Sequence, residues 1–149
     1  MRHYITDCDG ELKSQLSKVR ASEKLSEKNK SLILGYHDHD VAIGLSLPRL
    51  TRKLISLRLV AERFGVEYDR VTKEDYERVL SQMQRNGVSQ GTIWTDKKIL
   101  KVFHKWMNGG ETYPECVKWF KFTKQKSHMK ASDMLTQEEV KSLIHHCLN

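Results

Sequence analysis

A chain of 149 residues is long enough for one domain with a real core, or for a small domain and part of a second. Its 26 Lys and Arg against 19 Asp and Glu leave a formal charge of +7, which points to acidic partners without separating nucleic acid from membrane or protein. No apolar run approaches the roughly 18 residues of a membrane span, and the first residues lack a signal-peptide pattern, so a soluble intracellular protein with no membrane partner is expected.

In chain order, residues 1–25 mix both charges around few apolar positions and read as a mobile lead-in, partly helical around Leu12 to Val19. Ser26 is an N-cap with Glu27 in the first turn, and Leu32, Ile33, Tyr36 and Val41 follow before Gly44 stops the helix. Ser46 caps a second helix, in which Leu47, Leu50, Leu54, Leu57, Ala61 and Phe64 recur at helical steps until Gly65. Thr72 opens a third, with Glu74 and Asp75 at its positive end and Tyr76, Val79, Leu80 and Met83 on the buried face. Ser89 caps a fourth that ends at Asn108-Gly109-Gly110. Nothing alternates at strand length, so the fold class is all-α, with four helices over residues 26–108. Residues 109–134 read as a basic linker with a helical turn or two near Val117, Trp119 and Phe120. A capping box, Thr136 with Glu139, then begins a new helix within residues 135–149.

The fourth helix carries the most informative pattern. Trp94, Lys97, Lys98, Lys101 and Lys105 fall within about 100° of its surface. Ile93, Ile99, Leu100, Phe103, Trp106 and Met107 occupy the opposite side, so the stripe is expected to face outward. Clustered lysines repel one another, and a polyanion would neutralise them; a solvated helix face is the alternative. The second helix has its own basic side in Arg49, Arg52, Lys53 and Arg63, whereas the third is acidic in and just before its first turns. Two non-adjacent basic helices and a basic tail suit a surface that follows a duplex backbone, with Trp94 either stacking or packing at the core edge.

Other clusters carry little chemistry. His37-Asp38-His39-Asp40 places its histidines about 200° apart on a helix, too divergent to share an ion. His145, His146 and Cys147 have no spaced partners, and Cys8, Cys116 and Cys147 are expected as free thiols of a reducing compartment. There is no phosphate loop, G-x-S-x-G or H-E-x-x-H, and no metal or other cofactor is expected.

Ser26-Glu-Lys-Asn, Gly44-Leu45-Ser46, Thr72-Lys-Glu-Asp75, Ser89-x-x-Thr92 and Phe103-x-x-Trp106, followed by Pro114-Glu-Cys-Val-Lys-Trp119 and Leu135-Thr-x-Glu-Glu-Val140, form an ordered set over residues 26–145. The set resembles the core-binding domain of tyrosine recombinases, the phage-integrase and Xer-like family, especially its archaeal members. The resemblance implies a SAM-like four-helix bundle that grips one side of double-stranded DNA while a catalytic domain grips the other. It puts Arg49, Arg52 and Lys53 on one DNA-facing helix, Thr92, Trp94, Lys97, Lys98, Lys101 and Lys105 on another, and Lys121, Lys124 and Lys126 in the crossing linker. Residues 135–149 would be the first helix of that catalytic domain, whose nucleophilic tyrosine and supporting arginines, histidine and lysine would follow Asn149. None of Tyr4, Tyr36, Tyr68, Tyr76 and Tyr113 sits in a matching motif, so no nucleophile is assigned and no strand cleavage is expected. Asp38, Asp40 and Asp96 depart from the family pattern.

The expectation is therefore a cytoplasmic, nucleoid-associated DNA-binding module, monomeric alone, within a parent that assembles as a homo-oligomer on DNA. Two other classes stay open: a basic helical module for an acidic protein partner, and a regulator resembling a helix-turn-helix protein.

Overall fold

The computed structural model describes residues 7–123 and 134–147, and every described regular element is helical. In order these are α1 (Cys8–Ala21), α2 (Glu27–Ala42), α3 (Leu47–Phe64), α4 (Lys73–Arg85), α5 (Gln90–Met107), α6 (Glu115–Lys118) and α7 (Gln137–Cys147). Side-chain caps set the starts of α2, α4 and α5, whereas Ser46 holds the N-cap position of α3 without a capping hydrogen bond and Pro48 stands in the first turn. Ser26 Oγ accepts the Asn29 N–H at 3.1 Å, and Ser89 Oγ accepts that of Thr92 at 3.2 Å. Thr72 and Asp75 form a reciprocal capping box, and Gly65 ends α3 in the left-handed region at φ 62°.

Most of the apolar positions read from the sequence close over one core, in which Tyr36, Tyr68, Tyr76 and Phe103 are the largest fully buried side chains; Val41 and Leu47, at the facing ends of α2 and α3, are instead exposed. Helix α3 is central: α1, α2 and α5 all pack on it, while α4 and α6 pack with α5 on another side. A buried asparagine fixes the α3–α4 connection. The Asn29 amide donates to the Val66 carbonyl at 2.7 Å and accepts the Tyr68 N–H at 3.0 Å, and the Tyr68 hydroxyl donates to the Leu57 carbonyl at 2.6 Å. Partnering buried polar groups in this way avoids a penalty of about 1–3 kcal/mol for each.

Two expectations are corrected. Residues 7–25 are not a loose lead-in: α1 buries Leu12, Gln15 and Val19, and Leu25 joins the core beyond it. Asp7 caps α1 by accepting the Gly10 N–H at 2.9 Å. Ser22 Oγ donates to Glu62 at 2.6 Å, and Arg58 bridges Glu62 at 2.8 Å and Gln15 at 3.4 Å, tying α1 to α3. A stripe of three positions suffices because α3 is apolar enough to be covered on more than one side. The second correction concerns the linker. Residues 113–122 pack on the helical body, with Val117 and Phe120 buried and Trp119 and Phe122 half-buried against the core. Helix α7 begins at the expected Thr136–Glu139 box, and all its residues are exposed.

Candidate nucleic-acid interface

The basic residues of α3 and α5 have different fates. On α3, Lys53 is largely covered. Its ammonium donates to Asp40 of α2 at 2.9 Å and to the Tyr36 hydroxyl at 3.0 Å, with the Lys53 and Asp40 side chains 19% and 3% exposed. Arg52 donates to Asp96 of α5 at 3.2 Å, and Ser56 Oγ donates to the same carboxylate oxygen at 2.6 Å. Burial pushes the Asp96 carboxyl above its ordinary range, against the pull of the Ser56 hydrogen bond and the Arg52 charge. Arg52 and Lys53 are thus not free cations on an outward face. Two of the three acids singled out in the sequence, Asp40 and Asp96, are their interhelical partners. Arg49 is exposed and, among the described residues, has no ion-pair partner.

On α5 no carboxylate among the described residues lies within ion-pairing distance of Lys97, Lys98, Lys101 or Lys105. Lys98 is exposed, with its ammonium 3.6 Å from the centroid of the half-buried Trp94 ring. The other three are half-buried, because the chain doubles back along α5. The reversal is made by Gly109 and Gly110, at φ 89° and 86°, and by Asn108, whose amide donates to Thr112. The returning segment lays Tyr113 beside Lys105 and Lys101, at 5.0 and 4.9 Å, and Phe122 beside Lys101 and Lys97, at 5.3 and 5.5 Å. Lys97 also donates to the Lys121 carbonyl at 2.7 Å, and Lys101 to that of Phe120 at 3.4 Å. Burial, then the charge of Lys101, lowers the pKa of Lys97.

The outward stripe is therefore a ridge of four lysines, three of them flanked by aromatic rings of a neighbouring segment. Trp94 packs at the edge of the core, with Phe122 against it at 6.2 Å, and its indole N–H is buried with no partner among the described residues. Thr92 closes the α5 cap through Ser89, whose hydroxyl donates to its Oγ1 at 2.9 Å. Lys121 is exposed; Lys124 and Lys126 lie outside the described residues.

The structure brings the candidates together in two places. Lys53 and Lys105 line an open groove of about 460 Å³ with Tyr36, Asp40 and Trp106. Arg52 and Thr92 line a second of about 500 Å³, with Lys24 and Arg63 adding positive charge. Sequence reasoning missed Tyr113, Phe120 and Phe122 as partners of the lysines. Their signal was the aromatic density of Trp119-Phe120-Lys121-Phe122, so close after a glycine pair that turns the chain back.

The ridge can offer point positive charges to a surface of regularly spaced anions. Among the described residues, no three or more His, Cys, Asp or Glu side chains are placed to hold a metal ion. Comparison with protein-family models, with curated proteins and with solved structures finds no match for the chain.

Proposed function

We propose that this chain binds double-stranded DNA through the α5 ridge, as the non-catalytic N-terminal module of a site-specific tyrosine recombinase. One observation carries the reading: Lys97, Lys98, Lys101 and Lys105 share a helix face with no acidic partner among the described residues, whereas Arg52, Lys53 and Arg58 are ion-paired within the fold. Self-repulsion along such a face is relieved by a polyanion, which releases its own counterions in exchange. The ordered motifs from Ser26 to Val140 support the recombinase assignment, with strand cleavage left to a catalytic domain.

The test is duplex affinity as a function of salt. Four ridge lysines with Arg49 correspond to a slope of log K against log salt of about −4 to −5, and to an affinity of about 10⁻⁴ to 10⁻⁶ M at physiological salt. Replacing Lys98, Lys101 and Lys105 by Gln makes the slope shallower by about 3. The cost in stability stays below about 1 kcal/mol, because these side chains contribute little to the core. Binding that ignores salt, or a triple variant with the wild-type slope, refutes the assignment of the ridge. An acidic protein captured by a chain with no duplex affinity would favour a protein-interaction module instead.

A further inference from the structure

The segment folded along α5 has a role that a passive linker would lack. It puts an aromatic ring or a carbonyl beside every ridge lysine except Lys98, which sits on Trp94 of its own helix. Its anchorage is firm: Val117 and Phe120 are buried, Phe120 edge-on against Tyr76 at 5.5 Å, while the Trp119 indole closes the segment's own turn by donating to the Cys116 carbonyl at 2.8 Å. A free lysine samples many rotamers and loses them on meeting a phosphate; one already resting against a ring has fewer to lose. An ammonium has three donors, so Lys97 and Lys101 keep donors for a phosphate while each gives one to a backbone carbonyl.

We infer that Tyr113 and Phe122 are positioning residues, which hold the ridge ammonium groups in a row and thereby set the strength of duplex binding without touching DNA. The inference rests on the DNA reading and adds to it the source of the ridge's order. Tyr113 is the more diagnostic because it is 39% exposed, contributes little to the core and serves two lysines at once. A ring that merely shielded the lysines would weaken binding, and its removal would strengthen it.

The experiment uses the 149-residue chain and a fluorescein-labelled duplex of about two helical turns, titrated by anisotropy between about 50 and 200 mM salt. Tyr113→Leu is expected to weaken binding roughly threefold to tenfold through the released lysines. The salt slope should stay at its wild-type value, since no charge is lost. Tyr113→Phe keeps the ring and is expected to bind like wild type, and Phe122→Leu is expected to repeat the Leu effect at Lys97 and Lys101. Circular dichroism checks the fold of each variant. NMR supplies a readout independent of DNA: the ε-protons of Lys101 and Lys105 should lose a ring-current shift in Tyr113→Leu and keep it in Tyr113→Phe. Equal or tighter binding by Tyr113→Leu, or a shallower slope, overturns the inference while leaving the DNA reading intact. A wild-type chain that shows the ring-current shifts but binds no duplex overturns both.

Discussion

His104 gives the fold a built-in acid sensitivity whose size follows from its surroundings. It lies on α5 at 3% exposure, edge-on to Tyr68, Tyr76 and Phe103, with Nε2 2.6 Å from the Tyr76 hydroxyl. Burial lowers its pKa from 6.5 to about 4. Below pH 6.5 the unfolded chain takes up a proton on this side chain that the folded chain refuses until about pH 4. The stabilisation is therefore complete above 6.5 and is lost progressively as pH falls to about 4. At about 1.36 kcal/mol per pH unit, the loss amounts to about 3 kcal/mol, a substantial share of the stability of a small domain. The assay is urea unfolding followed by circular dichroism at several pH values between about 7.5 and 4, for wild type and His104→Gln. The variant keeps a polar partner for Tyr76 and cannot titrate, so it cancels the contribution of every carboxylate that both proteins share. It is expected to be the less stable at neutral pH, by about 1–3 kcal/mol from imperfect packing. The gap should shrink below pH 6.5 and close or reverse near pH 4. Parallel pH profiles for the two proteins would refute the argument, because His104 would then titrate alike in the folded and unfolded chain.

Two further perturbations separate structural from functional roles. Leu12→Ala is expected to destabilise the chain by about 2–3 kcal/mol through the cavity left between α1 and α3, measured by the urea midpoint; a change below about 0.5 kcal/mol would return α1 to the status of an ornament. Asp40→Asn leaves the Lys53 ammonium covered without its carboxylate and is expected to cost roughly 3 kcal/mol. The double change Asp40→Asn with Lys53→Met should recover most of that loss and keep the wild-type duplex affinity and salt slope. A slope shallower by about 1 would show that Lys53 reaches a phosphate after all.

The sequence was most legible where local chemistry decides. The caps at Ser26, Thr72, Ser89 and Thr136 start helices, and the left-handed glycine at 65 ends one, where expected, because each acts over three or four residues. The core faces of α3 to α5 followed from periodicity for the same reason. What escaped depended on contacts distant in sequence. Helix α1 has the charge density of a solvated segment, and only a partner surface on α3, forty residues on, makes its narrow apolar stripe useful. Helical spacing places Arg52 and Lys53 on one side of α3, but whether that side meets solvent or an acid is settled by Asp96 and Asp40 on other helices. Lysine spacing likewise gave the direction of the α5 stripe and not its neighbours, which arrive from residues 113–122 once the Gly109-Gly110 reversal is made.

The division of labour between α3 and α5 bears on what kind of DNA reading the proposed interface can perform. Using Lys53 on a duplex means first breaking an ion pair that joins α2 and α3, with a nearly buried carboxylate left behind. Stranding a buried charge costs about 3–5 kcal/mol, more than a single phosphate contact returns, so this pair is better understood as a pin between α2 and α3. Arg52 is 41% exposed and gives Asp96 one of its five N–H donors, so its pair with α5 directs the side chain without consuming it. The cations that remain are mostly lysines, whose ammonium groups are point charges without the planar fork that reads guanine. On the proposed reading, a ridge of that composition would hold and orient a duplex by its phosphates. Arg49, exposed near the start of α3, carries such a fork and on the proposed reading is the candidate for a base-specific contact. Target choice on this reading is therefore weak in the ridge itself, and substituting Arg49 by Lys should blunt sequence preference while leaving the salt slope unchanged.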